Sequence, residues 1–178
     1  MRRCRVHICL AAVVVLSARA ALAQSAAPSP TREQVLSAAS DIMRAAIYCT
    51  LATAEGEQPQ ARILDPFEPE AGLTVWFATK PNTRKVAQIR KDPHVALLYF
   101  DTKSLGYVTL LGEAALVTDA AEKAKRWKDR WAALYRDRNR GDDYLLVRVT
   151  PRRVEVSSPS RGMNNDPATW LPVVLELR

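Results

Sequence analysis

Three consecutive residues, Thr83, Arg84 and Lys85, bring a hydroxyl and two cations together at one point of the chain. They follow Lys80-Pro81-Asn82, which breaks an apolar strand, and they precede Val86, Ile89 and Arg90 at amphipathic helical spacing. With Asn82 as N-cap and Pro93 as stop, the spacing predicts a short helix whose first turn carries all three. A helix start offers unpaired N–H groups and a partial positive charge, so this set suits a phosphate. A capped helix with two solvated cations accounts for the same residues. Arg62 supplies another cation, within the otherwise apolar run Ala61-Arg62-Ile63-Leu64. Buried alone it would be costly, and period-2 alternation also lets it point outward. Turned inward, it converges with Arg84 and Lys85 on one anion.

Competing chemistry is sparse. The histidines are His7 and His94, and the cysteines are Cys4, Cys9 and Cys49, a set that excludes the usual structural zinc sites. There is no G-x-S-x-G, no P-loop and no G-x-G-x-x-G. Asp142-Asp143 and Glu68/Glu70 fall in loops, where solvation explains them. Cys49 lies in the apolar run from Ile47 to Ala52 with no cation or histidine beside it, which predicts a buried, inert thiol. A phosphate site without a catalytic set points to chemistry carried by a phosphorylated cofactor.

The chain has 178 residues, room for one domain. Arg2, Arg3 and Arg5, the apolar run from Ile8 to Leu16 and the small-x-small triplet Ala21-Leu22-Ala23 read as a cleaved secretory signal over residues 1–23. The expectation is an exported protein, periplasmic or secreted, with no membrane attachment after cleavage. Removing the signal lowers the net charge from +7 to +3, which weakens any argument for a nucleic-acid surface. The basic run Arg126, Lys128, Arg130, Arg136, Arg138 and Arg140 is interrupted by Asp129 and Asp137, so a nucleic-acid partner is not expected.

Residues 24–30 read as a disordered leader. Thr31 and Gln34 form a capping box before a helix from Arg32 to Ala46. Ile47–Thr53 and Gln58–Phe67 read as a hairpin, and Leu73–Thr79 as a third strand with Val75 and Phe77 on one face and Trp76 and Ala78 on the other. His94–Phe100 is almost continuously apolar and reads as a strand buried on both faces. Tyr107–Val117 is a long strand with Gly112 marking a bend. Ala120–Arg138 reads as one helix with Ala124, Trp127, Trp131 and Leu134 on its buried stripe. Tyr144–Val149 and Arg152–Ser157 read as two strands broken at Thr150-Pro151. The tail, 159–178, has no clear period but carries Trp170, Leu171, Val173, Val174 and Leu175, which predicts docking on its own domain or on a partner subunit. The whole is mainly β with flanking helices: a single domain over 31–158, closed or split into a small barrel.

Trp76-Phe77-Ala78-Thr79, then Thr83-Arg84-Lys85-Val86-Ala87-Gln88-Ile89, then Asp92-Pro93-His94-Val95, with the Arg62 strand upstream and Leu111-Gly112-Glu113-Ala114 downstream, resembles the pyridoxamine 5'-phosphate oxidase-like, flavin mononucleotide (FMN)-binding split β-barrel family, its general-stress-protein subgroup in particular. The resemblance spans roughly Glu33 to Ser158. It implies a Greek-key-like split barrel and a homodimer with the cofactor between subunits. It implies that Arg62 and the backbone of Ile63 and Leu64 touch FMN, that Ala78 and Thr79 meet the ring and ribityl chain, and that Thr83, Arg84 and Lys85 hold the phosphate. Tyr107 stands near the position where a partner's glutamine often reaches the cofactor, and Trp170 is placed to cover the site. Phe67 replaces the lysine that helps the true oxidases hold substrate, and the tail lacks their Arg-x-His segment. The implied function is a flavin-dependent oxidoreductase acting on a small substrate other than pyridoxamine phosphate. The alternative is a non-catalytic barrel holding flavin, deazaflavin or haem.

Overall fold

The computed structural model describes residues 29–136 and 141–177. The proposed signal (1–23) and most of the leader lie outside these residues, as do positions 137–140 of the basic run. Helix α1 (Arg32–Ala46) starts at Thr31, whose side chain accepts from the Gln34 N–H while the Gln34 side chain accepts from the Thr31 N–H. It buries Val35, Ala38, Ala39, Ile42 and Met43 on one stripe.

Strands β1 (Cys49–Glu55) and β2 (Gln58–Leu64) form the first hairpin, turned at Gly56 with φ +62°. Then follow β3 (Val75–Thr79), α2 (Arg84–Lys91), β4 (His94–Asp101), β5 (Gly106–Val117), α3 (Ala120–Lys125), β6 (Leu145–Ser157) and β7 (Val173–Glu176). All pairings are antiparallel, in the order β2-β1-β4-β5-β6-β3, with β7 added beside β6. The tail thus extends the sheet of its own domain. Leu51 of β1 and Phe77 of β3, from opposite halves of the order, share one core with Leu97, Leu110 and Val149. Sharing it requires the sheet to curl, yet β2 and β3 do not pair. The fold is a split barrel with its seam between those two strands.

Several sequence expectations are corrected. Ile47 adopts φ +62°, so β1 starts at Cys49, and β2 stops at Leu64 before Pro66. β4 is not buried on both faces: Val95, Leu97, Tyr99 and Asp101 are buried while Leu98 and Phe100 are exposed, because no layer of the described residues covers the outer face. β6 runs unbroken through Pro151. The irregularity is a bulge at Arg152, since Leu111 pairs with Arg153 but Gly112 pairs with Pro151. A Cβ on Gly112 would sit 2.7 Å from the Pro151 Cα, so this close approach demands glycine.

The long helix expected from Ala120 ends at Lys125 and gives way to an irregular stretch and a 3-10 turn at Asp129–Ala133. Ala124 and Leu134 are exposed, against their place on the expected stripe. The cause is side-chain demand: Arg126 turns inward over Trp76, its guanidinium carbon 3.6 Å from the ring centroid, and pairs with Glu70 and Glu122. Trp131 and Tyr135 then pack with Trp76, Tyr144 and Leu146 in a second, aromatic cluster on the far face of β3. No helix among the described residues is long and apolar enough to cross a membrane.

Candidate functional site

At the seam the ends of β2 and β3 border a cavity of about 350 Å³. Ile63, Leu64 and Asp65 contribute one side, Ala78, Thr79 and Lys80 the other, Thr83 and Lys85 the floor, and Trp131, Leu134 and Tyr135 a wall. Six of the predicted residues, Ile63, Leu64, Ala78, Thr79, Thr83 and Lys85, therefore meet around one space. Arg62 and Arg84 stand beside it rather than in its lining. Burial and the charge of Arg84 lower the Arg62 pKa, and burial and the charge of Arg62 lower that of Lys85.

Register decides the direction of Arg62. It pairs with Leu51 across the hairpin and shares the inner face with Thr53. Its guanidinium donates to Thr53 Oγ1 at 2.6 Å and to Gln88 Oε1 at 2.8 Å. The Thr53 hydroxyl also donates to Gln88 Oε1, at 2.6 Å, and Gln88 Nε2 donates to Glu55 at 2.9 Å. Lys85 Nζ donates to Thr79 Oγ1 at 3.0 Å. Thr79 and Thr83 hydroxyl oxygens lie 3.3 Å apart, and Thr83 donates to the Lys80 carbonyl at 3.0 Å. Thr83, not Asn82, is the N-cap residue of α2; Lys80-Pro81-Asn82 is occupied in the preceding turn. Among the described residues no carboxylate lies within 4.0 Å of the charged nitrogens of Arg62, Arg84 or Lys85.

The opposite wall is built differently. Asp65 accepts from Lys128 (2.6 Å), Arg130 (2.7 Å) and Trp131 Nε1 (2.9 Å). Burial alone would raise its pKa, but the hydrogen bonds from Arg130, Lys128 and Trp131 hold it below the usual carboxylate range. Trp131 stacks edge-on against Phe67, with centroids 5.1 Å apart, so Phe67 belongs to the wall's packing. Sequence reasoning missed Asp65, Trp131 and Tyr135 as cavity residues; Asp65 and Trp131 are joined across 66 positions, and Tyr135 reaches the wall by packing on Trp131. It also missed Gln88, although a glutamine between the buried Val86 and Ile89 was a legible signal.

A larger cavity of about 540 Å³ lies between α1 and the 71–73 turn, but its arginines are already engaged, Arg44 by Glu68 and Arg32 by the Glu176 carbonyl. Tyr107 is half-buried and accepts a hydrogen bond from Asn165 at 3.3 Å. Trp170 is 77% exposed and lines no part of the seam cavity.

The model of the family described as pyridoxamine 5'-phosphate oxidase matches residues 36–158, a span that contains the seam, all three cations and the bulge. The chain belongs to the pyridoxamine 5'-phosphate oxidase-like family. It is 29% identical over 131 residues to general stress protein 26 of Bacillus subtilis (strain 168), covering 72% of this chain and 86% of that protein. Among solved structures it is similar to a general stress protein 26 homologue from Jannaschia sp. CCS1, with a TM-score of 0.64, 16% identity, and coverage of 81% of this chain and 99% of that one. It is also similar to a pyridoxamine 5'-phosphate oxidase-related, FMN binding protein from Nostoc punctiforme PCC 73102, with a TM-score of 0.61, 16% identity, and coverage of 85% and 98%. At these identities the structural likeness establishes the shared split-barrel fold.

Proposed function

We propose that this family member is an exported flavoprotein that holds FMN in the seam and works as a flavin-dependent oxidoreductase on a small substrate. The observation that carries the reading is the set of three cations, Arg62, Arg84 and Lys85, at the cavity with no carboxylate within 4.0 Å of them among the described residues. A dianionic phosphate supplies the missing counter-charge, and the Thr79 and Thr83 hydroxyls add hydrogen-bond capacity beside it. Arg84 and Lys85 bind the phosphate from the first turn of α2, and Arg62 meets it from β2. Ile63, Leu64 and Ala78 give the flat ring an apolar bed, and the ends of β2 and β3 are the unpaired borders of the sheet, free to hydrogen-bond its polar edge. FMN itself supplies the hydride or electron transfer. The 350 Å³ cavity lies at the small end for a ligand site, which fits a cofactor only partly enclosed by one chain.

A second copy of the chain completes the enclosure in this reading. Ile63, 68% exposed, is shared between the seam cavity and an apolar hollow lined by Tyr48, Leu98 and Phe100 on the uncovered face of β4. An apolar patch continuous with the site supports a homodimer with the cofactor at its interface. In this reading the substrate is other than pyridoxamine phosphate, since Phe67 is committed to packing on Trp131 at about the place of the oxidases' lysine.

The test is the absorption spectrum of protein purified from its native compartment. Two flavin bands in an exported protein are the expected result. A Soret band, or a colourless protein that takes up no FMN, overturns the reading.

A further inference from the structure

The most buried polar side chain beside the seam is the amide of Gln88, at 3% exposure between Val86 and Ile89 on the packed face of α2. A buried amide is tolerated only when its hydrogen bonds are made. Here Oε1 accepts both from Thr53 Oγ1 and from the Arg62 guanidinium, and Nε2 donates to Glu55, so each end of the amide has one assignment. Arg62 is thereby fixed at two nitrogens, by Gln88 and Thr53, and both acceptors are neutral. The negative charge in the network, on Glu55, sits one residue further back. It touches the amide and not the guanidinium.

We propose that Gln88 is a positioning residue that aims Arg62 at the cofactor phosphate while leaving its charge uncancelled, with Glu55 setting the orientation of the amide. The proposal rests on the FMN reading of the seam. Its physical content is a separation of two tasks that one carboxylate would merge. A glutamate at position 88, with Glu55 exchanged for an amide, would keep the acceptor that Arg62 uses, but would neutralise the charge that a phosphate has to meet. A leucine or methionine would pack as well but would let the guanidinium swing and leave the Thr53 hydroxyl without its acceptor. The field between the cations depends on the same geometry, since Arg62 lowers the Lys85 pKa only because it is held near it.

The experiment is the titration of apoprotein with FMN and with riboflavin, which lacks the phosphate, following quenching of flavin fluorescence. Melting curves of each variant establish that it folds. In the wild type FMN binds more tightly than riboflavin. Gln88→Met lowers FMN affinity about tenfold, the scale of one charge-assisted hydrogen bond, and leaves riboflavin affinity unchanged. Gln88→Glu combined with Glu55→Gln, which keeps every acceptor that Arg62 and Thr53 use and sets an amide instead of Glu55 against the new carboxylate, loses as much or more. A merely structural role predicts the reverse order, with the Gln88→Glu, Glu55→Gln pair close to wild type. Should the Gln88 variants fail to fold, Glu55→Ala at an exposed strand end frees the amide to turn, and it should shrink the preference for FMN about threefold. Wild-type preference in the Gln88→Glu, Glu55→Gln pair, or in Glu55→Ala where the others do not fold, overturns the brace and leaves the FMN reading standing. A wild type that binds FMN no better than riboflavin overturns that reading and the brace with it.

Discussion

Two groups of basic residues, one behind the Asp65 and Trp131 wall and one at the proposed phosphate end of the seam, differ in what answers their charge. Arg126, Lys128 and Arg130 meet carboxylates: Glu70 and Glu122 for the first, Asp65 for the other two. Arg62 and Lys85 meet hydroxyls and an amide, and their pKa values fall because they are buried near other cations. The first group closes a wall. The second keeps a positive field that, in the proposed reading, a bound phosphate relieves. Charge density in the sequence is similar in both stretches, so it is pairing, not composition, that separates structure from site.

The sharpest way to break this contrast is to remove charge from the second group. Arg84→Ala combined with Lys85→Ala should lower FMN affinity by about 100-fold or more, the product of two charge-assisted contacts, with the melting temperature held or raised because like charges are removed. Retained affinity would mean that the field serves something else. In the first group the same kind of change should act on stability instead. Arg126→Ala leaves Glu70 and Glu122 without their cation and uncovers Trp76, at a cost of about 1–3 kcal/mol in urea denaturation once partial exposure of the glutamates is discounted. The preference for FMN over riboflavin should not move.

A smaller effect concerns pH. The Lys85 pKa is lowered in the free protein, by burial first and by Arg62 second. The unfolded chain therefore binds that proton more readily, and the stability of the free protein gains as pH rises from the depressed value toward the ordinary lysine value of about 10.4. Phosphate binding favours the charged amine, so FMN affinity should run the other way and weaken over the same alkaline window. Lys85→Arg should remove that decline, which a series of titrations at rising pH would read. The smallest effect is at Cys49. Burial pushes its pKa up to about 12, so thiol reagents should leave the folded protein untouched and react only on unfolding.

Most of the fold was legible because it rests on local signals. The Thr31–Gln34 box sets the start of α1, β-branched and aromatic residues set β3, and Gly112 marks the bulge. The errors arise where a distant partner overrides local pattern. Arg126 leaves the helical path to cover Trp76, and Pro151 stays in β6 because the bulge takes up the irregularity. β4 reads as doubly buried because Leu98 and Phe100 look apolar in sequence whether or not anything covers them. In the site, neighbours in sequence such as Thr83 and Lys85 were visible together. The Thr53–Arg62–Gln88–Glu55 network was not, since it joins two strands and a helix.

The central claim is that the uncancelled cations hold a doubly charged phosphate. Phosphorus NMR of FMN titrated with acid in the presence of the protein tests it most directly. A free phosphate monoester takes up its second proton near pH ~6. Bound in the seam, the resonance should stay at the dianion position well below that value. A bound resonance that titrates like free FMN would contradict the account.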